Sequence, residues 1–546
     1  METLRFDIHA RDFSAAGAAS RALKQHLKRI GAESDAVRRA MIAAYEAEMN
    51  VVIHSRGGVL EAVVGEHQLD VDVRDDGPGI PDVAAAMREG FSTASAEARA
   101  LGFGAGLGLP NIKRNSDRLQ VTSTIGQGTR VSFTILLRPE RGARGERATS
   151  LAVLPECCRD CRRCITACPT GAVRVRDARP HVLEHLCVDC TRCIGVCSPG
   201  ALTMSSATAV PAGDPDVTLV VPPAVLVDYH PFGDASQVRA ALDGLGYRDV
   251  VVTHGHEAAL RAAVAARAAS GMAPVPVVSP VCPAVVALME LRFPALLPHL
   301  APFASPLEGA QLDLGDGEAV FIASCPSQRT SLLAQRPTAQ YRIASPAVLR
   351  EAMVPRLAAD AGDGPQARDK GTAAGAAASA AAAAGRPGGP PAEAGDALVV
   401  TGADHVIAVL EQLENGLLAG AAVVEPYLCD GGCFGSTLLA GDPYVAAWRW
   451  ADAGFAADGR AHERPQPFRP RPGLRLDDDM TAAIRKLAEL ERVTASLPGK
   501  DCAACGAPTC AAFAEDIVTG RATRDRCPYA APDEGRDSTP NEGSTP

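Results

Sequence analysis

Cys158-Arg159-Asp160-Cys161-Arg162-Arg163-Cys164-Ile165-Thr166-Ala167-Cys168-Pro169 is answered, after 18 intervening residues, by Cys187-Val188-Asp189-Cys190-Thr191-Arg192-Cys193-Ile194-Gly195-Val196-Cys197. Both runs carry the spacing C-x2-C-x2-C-x3-C. The chain holds 17 cysteines, none of them before Cys157. Nine lie between Cys157 and Cys197, four at Cys282, Cys325, Cys429 and Cys433, and four from Cys502 to Cys527. Clustering of this kind points to metal rather than to disulfides.

Working outward, 546 residues leave room for three or four domains. Only six of the 54 basic residues are Lys, and Ala, Gly and Pro are abundant, so alanine richness here is weak evidence for helix. A net charge of -10 removes the electrostatic footprint of a general nucleic-acid binder, and no direct nucleic-acid partner is expected. The opening Met1-Glu2-Thr3-Leu4-Arg5 has no apolar signal region, and no stretch reaches the roughly 18 apolar residues of a spanning helix. No membrane insertion and a cytoplasmic location are expected.

On the N-terminal side, Leu4-Arg5-Phe6-Asp7-Ile8 reads as a strand, two helical patterns follow to about Ser55, and Leu69-Asp70-Val71-Asp72-Val73 alternates as a strand. An α/β domain over 1–138 follows, closed by an Arg/Gly-rich joint from Arg138 to Arg147. The cysteine runs occupy 150–210, and Pro211 to Asp216 separates them from the next segment. There Leu219-Val220-Val221, a helix from Ser236 to Leu245 and Val250-Val251-Val252 give the βαβ pattern of a parallel sheet over 216–460. A low-complexity stretch at about 360–395 interrupts it and is expected to be disordered. Apolar residues at helical spacing from Asp479 to Val493 precede the last cysteines in a segment at 475–532, and 533–546 is a polar, loose tail.

The paired runs resemble a bacterial two-cluster ferredoxin, in which the fourth cysteine of each run serves the other cluster. That resemblance implies one 4Fe-4S cluster on Cys158, Cys161, Cys164 and Cys197, and a second on Cys187, Cys190, Cys193 and Cys168. Cys157 is left over as a spare thiol. Near the C-terminus, Cys502-x2-Cys505-Gly506-x3-Cys510-x16-Cys527-Pro528 resembles the small 4Fe-4S domain of corrinoid iron-sulfur proteins, although four thiolates alone suit zinc or a cluster. The four dispersed cysteines stand in Ser279-Pro280-Val281-Cys282-Pro283, Ala323-Ser324-Cys325-Pro326 and Glu425-Pro426-Tyr427-Leu428-Cys429-Asp430-Gly431-Gly432-Cys433-Phe434-Gly435. These resemble the three signature loops of the iron-only hydrogenase large-subunit domain, which implies a fourth 4Fe-4S cluster on Cys282, Cys325, Cys429 and Cys433. The pattern breaks where that family contacts its di-iron unit. Val281 replaces the proton-donating cysteine, Gln328 a lysine and Tyr427 a methionine, so the general acid is absent.

In the first segment, Glu46 and Asn50 are four apart on one helix face. A carboxylate and an amide so placed could hold Mg²⁺ and orient a phosphoryl acceptor. Asp75-Asp76-Gly77-Pro78-Gly79, Gly102-Phe103-Gly104-Ala105-Gly106-Leu107-Gly108 and Gly126-Gln127-Gly128-Thr129 follow, and glycines let backbone amides approach phosphates. The set resembles the N, G1, G2 and G3 boxes of the GHKL ATPases, especially the anti-sigma factor serine kinases. The resemblance implies Glu46 as general base, Asn50 as Mg²⁺ ligand, Asp75 as the adenine-reading carboxylate, and Gly77, Gly79, Gly104, Gly106, Gly108 and Thr129 around ATP.

The expected fold class is therefore multidomain α/β and α+β: a GHKL α/β sandwich, a two-4Fe-4S ferredoxin fold, a hydrogenase-like α/β domain and a small helical Fe-S domain. The expected cofactors are four 4Fe-4S clusters, ATP and Mg²⁺. The expected function is a cytosolic redox-sensing regulator with possible serine kinase activity and no hydrogen turnover. Its partners would be a redox protein and an anti-anti-sigma-like protein or opposing phosphatase. Two alternatives stay open, an electron-transfer enzyme or subunit of a hydrogenase-like complex, and a cluster-assembly factor.

Overall fold

The computed structural model describes residues 2–12, 16–30, 32, 34–65, 68–88, 108–137, 149–205, 214–229, 235–315, 317–335, 341–360, 397–418, 420–450, 458–471, 473, 476–477 and 480–530. The joint at 138–147, Gly104, Gly106, the Ala-rich stretch and the tail from 533 lie outside these residues. The chain divides into two compact units, one drawn from Met1–Arg141 and Leu474–Pro546, the other from Gly142–Gly473. Each unit gathers two of the sequence segments.

In the first unit, β1 (Glu2–His9), α1 (Ala18–Arg29), α2 (Ser34–His54), β2 (Gly57–Val64), β3 (Gln68–Asp75), α3 (Gly108–Arg114), β4 (Arg118–Thr124) and β5 (Gly128–Leu136) follow in order. The strands form one antiparallel sheet in the order β1-β2-β3-β5-β4. Alternation explains its two faces. Leu69, Val71 and Val73 of β3 are buried with Leu60 and Ala62 of β2 and Val131, Phe133 and Ile135 of β5, under the helices. On the other face Asp72 accepts from Arg130 Nε and Ser132 Oγ, each at 2.7 Å, and Thr134 Oγ1 donates to Asp70 at 2.7 Å. The start of α1 has no capping side chain of its own, because Gly17 precedes it at φ 83°. Glu48 of α2, only 3% exposed, fills that role by accepting from the Ala19 and Ser20 amides at 3.3 and 3.2 Å.

The same unit contains α4 (Met480–Ala495) and α5 (Cys510–Val518). Ala483, Leu487 and Leu490 recur at helical spacing along one face of α4 and are at most 2% exposed. They belong to the hydrophobic core that holds Leu23 and Leu27 of α1, together with Phe513 and Ala514 of α5. Arg29 of α1 pairs with Glu515 of α5 at 3.7 Å. The last cysteine segment and the N-terminal fold thus share one core, although they stand at opposite ends of the chain.

In the second unit, the cysteine runs are framed by two antiparallel pairs, Leu151–Val153 with Leu202–Met204 and Val173–Arg176 with Arg179–Val182. Beyond them a four-stranded parallel sheet orders Asp249–Val252, Thr218–Val221, Ala319–Ile322 and Arg342–Ala344. A second parallel sheet orders Val277–Val278, Val423–Tyr427 and Ala397–Thr401. Val220, Phe321, Ile322 and Val424 are fully buried, as strands covered on both faces must be. Thr330 Oγ1 donates to Asp189 at 2.8 Å and Arg329 to Ser150 Oγ at 3.1 Å, tying the ferredoxin-like segment to the sheets.

Candidate nucleotide and metal centres

Residues from α2, α3, β3 and β5 build the candidate nucleotide site. Glu46 and Asn50 project from the same side of α2, and the chain re-enters at Gly108, the first residue of α3. A side chain at Gly108 would place its Cβ 2.9 Å from Asn50 Oδ1, so glycine keeps that corner open. Asn111 Nδ2 donates to Glu46 Oε1 at 2.7 Å. Burial raises the Glu46 carboxyl above its ordinary range and the Asn111 bond opposes this. The carboxylate is therefore oriented by an amide, which suits a base.

Asp75 ends β3 opposite Thr129 of β5. The Gly77 amide donates to its Oδ1 at 2.7 Å, and burial raises its pKa against that bond and one from the Thr129 amide. Gly79, at φ 77°, lies under Thr124, where a Cβ would sit 2.3 Å from the carbonyl oxygen. The Ile80 amide donates to Ser123 Oγ at 2.7 Å, and Ser123 shares a hydrogen bond of 2.9 Å with Thr129 Oγ1. The first and last glycine boxes therefore form one rigid corner around Asp75. Gly104 and Gly106 lie outside the described residues.

Cys158, Cys161, Cys164 and Cys197 line one cavity. Cys193 is pushed up first by burial and then by Cys190, Cys168 and Cys187. Cys157 lies in the turn Pro155–Cys157 and does not line the first cavity. Cys282, Cys325, Cys429 and Cys433 line another cavity. Cys282, Cys325 and Cys429 each follow the C-terminal end of a parallel strand, where open α/β sheets place their sites, and Cys433 sits in the turn Gly432–Gly435 beyond Cys429. Cys282 and Cys325 each precede a proline that opens a helix, at Pro283–Arg292 and Pro326–Gln335, so backbone amides turn toward the sulfurs. Cys282 accepts from the amides of Leu428, Val285 and Ala284, and Cys325 from those of Gln328 and Ser327. Gly431 and Gly432, at φ 76° and 74°, make the turn that brings Cys433 back beside Cys429. In the C-terminal segment, Cys505 faces Cys527 and Cys510, while Cys502 is exposed.

Burial pushes Cys164 up to about 11, and Cys187 and Cys325 up to about 12, with neighbouring thiols or carboxylates adding to it. Sets of thiols this crowded ionise together only around a cationic centre. Among the described residues no three cysteine sulfurs lie within 4.8 Å of one another. Thiolates around one zinc, at about 2.3 Å each, would stand about 3.8 Å apart. The sets are spread for a larger centre, as an iron-sulfur cluster is. Cys429 adds to the charge felt by Cys190, and Cys190 lines the same cavity as Cys282, Cys325, Cys429 and Cys433.

Val281, Gln328 and Tyr427 line a cavity next to Cys433. Gln328 Oε1 is turned back onto its own loop, accepting from Ser324 N at 2.8 Å and Ser324 Oγ at 2.9 Å. The Tyr427 hydroxyl donates to Glu425 Oε1 at 2.6 Å, and Arg261 pairs with the same oxygen at 2.7 Å. Glu257 also lines the cavity, with its carboxyl pushed up to about 7 by burial.

Sequence reasoning missed Asn111 and the Arg261–Glu425 pair that holds Tyr427. Asn111 was within reach, since it stands one turn after Gly108 on the helix that the glycine loop opens.

The family model for histidine kinase-, DNA gyrase B- and HSP90-like ATPases matches residues 34–139, and the FeS family, described as an Fe-S cluster, matches residues 497–529. The serine/threonine-protein kinase RsbT of Bacillus subtilis is 34% identical over 104 residues, which are 18% of this chain and 72% of that protein. The anti-sigma F factor of Caldanaerobacter subterraneus subsp. tengcongensis is 34% identical over 103 residues, 19% of this chain and 64% of its own length. The corrinoid/iron-sulfur protein large subunit of Moorella thermoacetica is 51% identical over 35 residues, 6% of this chain and 8% of that one. Among solved structures, apo FeFe-hydrogenase HydA1 from Chlamydomonas reinhardtii aligns with a TM-score of 0.32 and 19% identity, over 47% of this chain and 90% of that one. A score that low leaves the reading of the middle segment to rest on its own loops.

Proposed function

Through its N-terminal residues the chain belongs to the family of the serine/threonine-protein kinase RsbT, and on that premise we propose that it is a cytosolic iron-sulfur regulator whose clusters report redox state to an ATP-binding domain. The observation that carries this reading is the shared core: α4 and α5 pack in one hydrophobic cluster with α1 of the ATP-binding fold, and Cys505, Cys510 and Cys527 of the last cysteine set pack against it.

In this reading Glu46 takes the proton of a seryl hydroxyl while Asn111 holds the carboxylate in line. Asn50 holds Mg²⁺, Asp75 reads adenine, and Gly77, Gly79, Gly104, Gly106, Gly108 and Thr129 surround the nucleotide. The four segments at 1–138, 150–210, 216–460 and 475–532 act as separate functional modules, three of them carrying the sixteen clustered cysteines as four cluster sites. When bound, a cluster supplies a one-electron couple whose potential depends on hydrogen bonds and exposure around its sulfurs. The amides aimed at Cys282 and Cys325 are such bonds. The partner is an anti-anti-sigma-like protein or an opposing phosphatase, with a redox protein feeding electrons to the ferredoxin-like runs.

The pocket beside Cys433 is unsuited to hydrogen chemistry. Val281 has no transferable proton, Gln328 is bound to its own loop and the Tyr427 hydroxyl is held by Glu425. A second reading, an electron-transfer enzyme, draws support from the placement of Cys190 beside Cys429, which suits electron delivery to the site of Cys282, Cys325, Cys429 and Cys433. Iron and sulfide counts after anaerobic preparation test the common ground of both readings. About 16 iron atoms per chain are expected if every site holds a 4Fe-4S cluster, and a colourless, zinc-loaded protein would overturn both.

A further inference from the structure

The seam between α4 and the ATP-binding fold contains a group of side chains that neither nucleotide nor cluster chemistry uses. Glu2 lies on β1, His26 on α1 and Glu491 on α4. One ligand atom from each lies within 4.8 Å of the other two. His26 is only 5% exposed, and its Nε2 and the Glu2 Oε2 are both buried without a hydrogen-bond partner. They face each other at 3.5 Å. Leaving two such atoms unsatisfied costs about 1–3 kcal/mol apiece, so a seam that retains them needs a reason.

We propose that Glu2, His26 and Glu491 form a divalent-metal site, best suited to zinc, that staples α4 to the ATP-binding fold. The geometry supports this. Zinc bound to imidazole and carboxylate at about 2.0–2.1 Å sets its tetrahedral ligands about 3.3 Å apart, close to the 3.5 Å between His26 Nε2 and Glu2 Oε2. One imidazole with two carboxylates is a borderline donor set that suits zinc, whereas magnesium and calcium favour oxygen alone. Glu491 is exposed, which leaves the fourth position to water. The surrounding charges agree. Glu2 is pushed up to about 7 by burial and then by the facing Glu491 carboxylate, a repulsion that a cation would relieve. Two positive groups oppose a cation, the N-terminal amine, which acts on Glu2, and Arg29, which acts on His26 and is drawn toward Glu515 at 3.7 Å. The ligands come from both ends of the chain, so the ion would hold the last cysteine segment against the ATP-binding fold without touching either site.

The test uses the full chain with its cluster sites loaded anaerobically, so that the cysteines do not compete for zinc. After treatment with a chelator, one equivalent of zinc is added, the protein is desalted, and zinc, iron and sulfide are counted. The wild type should retain about one zinc per chain, and His26→Gln and Glu491→Ala should retain almost none at unchanged iron content. Should His26→Gln fail to fold, as a drop in its iron would show, Glu491→Ala decides alone, since that side chain is exposed. Equal zinc retention by wild type and Glu491→Ala, or none by the wild type, overturns the proposal.

Discussion

Truncating Leu487 to alanine tests whether α4 is structurally part of the ATP-binding unit. Leu487 is 1% exposed, on the α4 face that is buried in the same core as Leu23 and Leu27 of α1. Buried leucine-to-alanine changes cost about 2–5 kcal/mol, because transfer free energy and cavity formation add. A tight site of small and medium side chains, with Ala483 and Leu490 beside it, places the expected cost near 3 kcal/mol. In a unit of this size each kcal/mol lowers Tm by about 2–4 °C, so the drop should be about 6–12 °C. The assay is thermal unfolding of the cluster-loaded full chain under anaerobic conditions, followed in parallel by bound fluorescent ATP analogue and by cluster absorbance. The nucleotide signal and the share of the absorbance due to the last cysteine set should fall together at the lower temperature. Nucleotide release at the wild-type temperature, with cluster absorbance alone lost early, would refute the shared core.

Asp75→Asn should abolish ATP binding at unchanged iron content, whereas Glu46→Ala should spare binding and remove phosphoryl transfer; equal ATP affinity with Asn at 75, by calorimetry, would sink the site assignment. Burial raises the Glu46 pKa, and a base works ionised, so phosphoryl transfer should rise with pH through a midpoint above the ordinary carboxylate range. A rate that is flat across that range would remove Glu46 from the role. The chain should neither evolve nor consume dihydrogen, and Val281→Cys alone should not rescue it, because Gln328 and Tyr427 remain engaged elsewhere; substantial turnover by the unmodified chain would favour the electron-transfer reading.

What was legible in the sequence was what depends on near neighbours along the chain. The ferredoxin resemblance groups Cys158, Cys161, Cys164 and Cys197, which line one cavity, and the i, i+4 spacing puts Glu46 and Asn50 on one helix face. Leu219 to Val221 and Val250 to Val252 do form adjacent parallel strands. Long-range choices were not legible. The apolar stripe of Ala483, Leu487 and Leu490 announces a buried face without saying what buries it, and the answer lies more than 450 residues away in α1. Nor does composition say where a polar side chain points. Gln328 and Tyr427 are read from the chain as lost contacts, and only the folded loops show them bound to Ser324 and Glu425. Glu48 looks like one more acid beside Glu46, yet its partners are two amides of a helix that starts without a cap.

The central claim, that cluster redox state and the nucleotide site are coupled, is tested most directly by ATP affinity measured on the same anaerobic preparation in its oxidised and dithionite-reduced forms. A coupling of about 1.4 kcal/mol would appear as a tenfold change in affinity. Reciprocity then requires saturating ATP to shift a cluster potential by about 60 mV for a one-electron couple. The account predicts both shifts, equal in free energy. Identical ATP affinity in the two redox states, with cluster potentials indifferent to ATP, would contradict it.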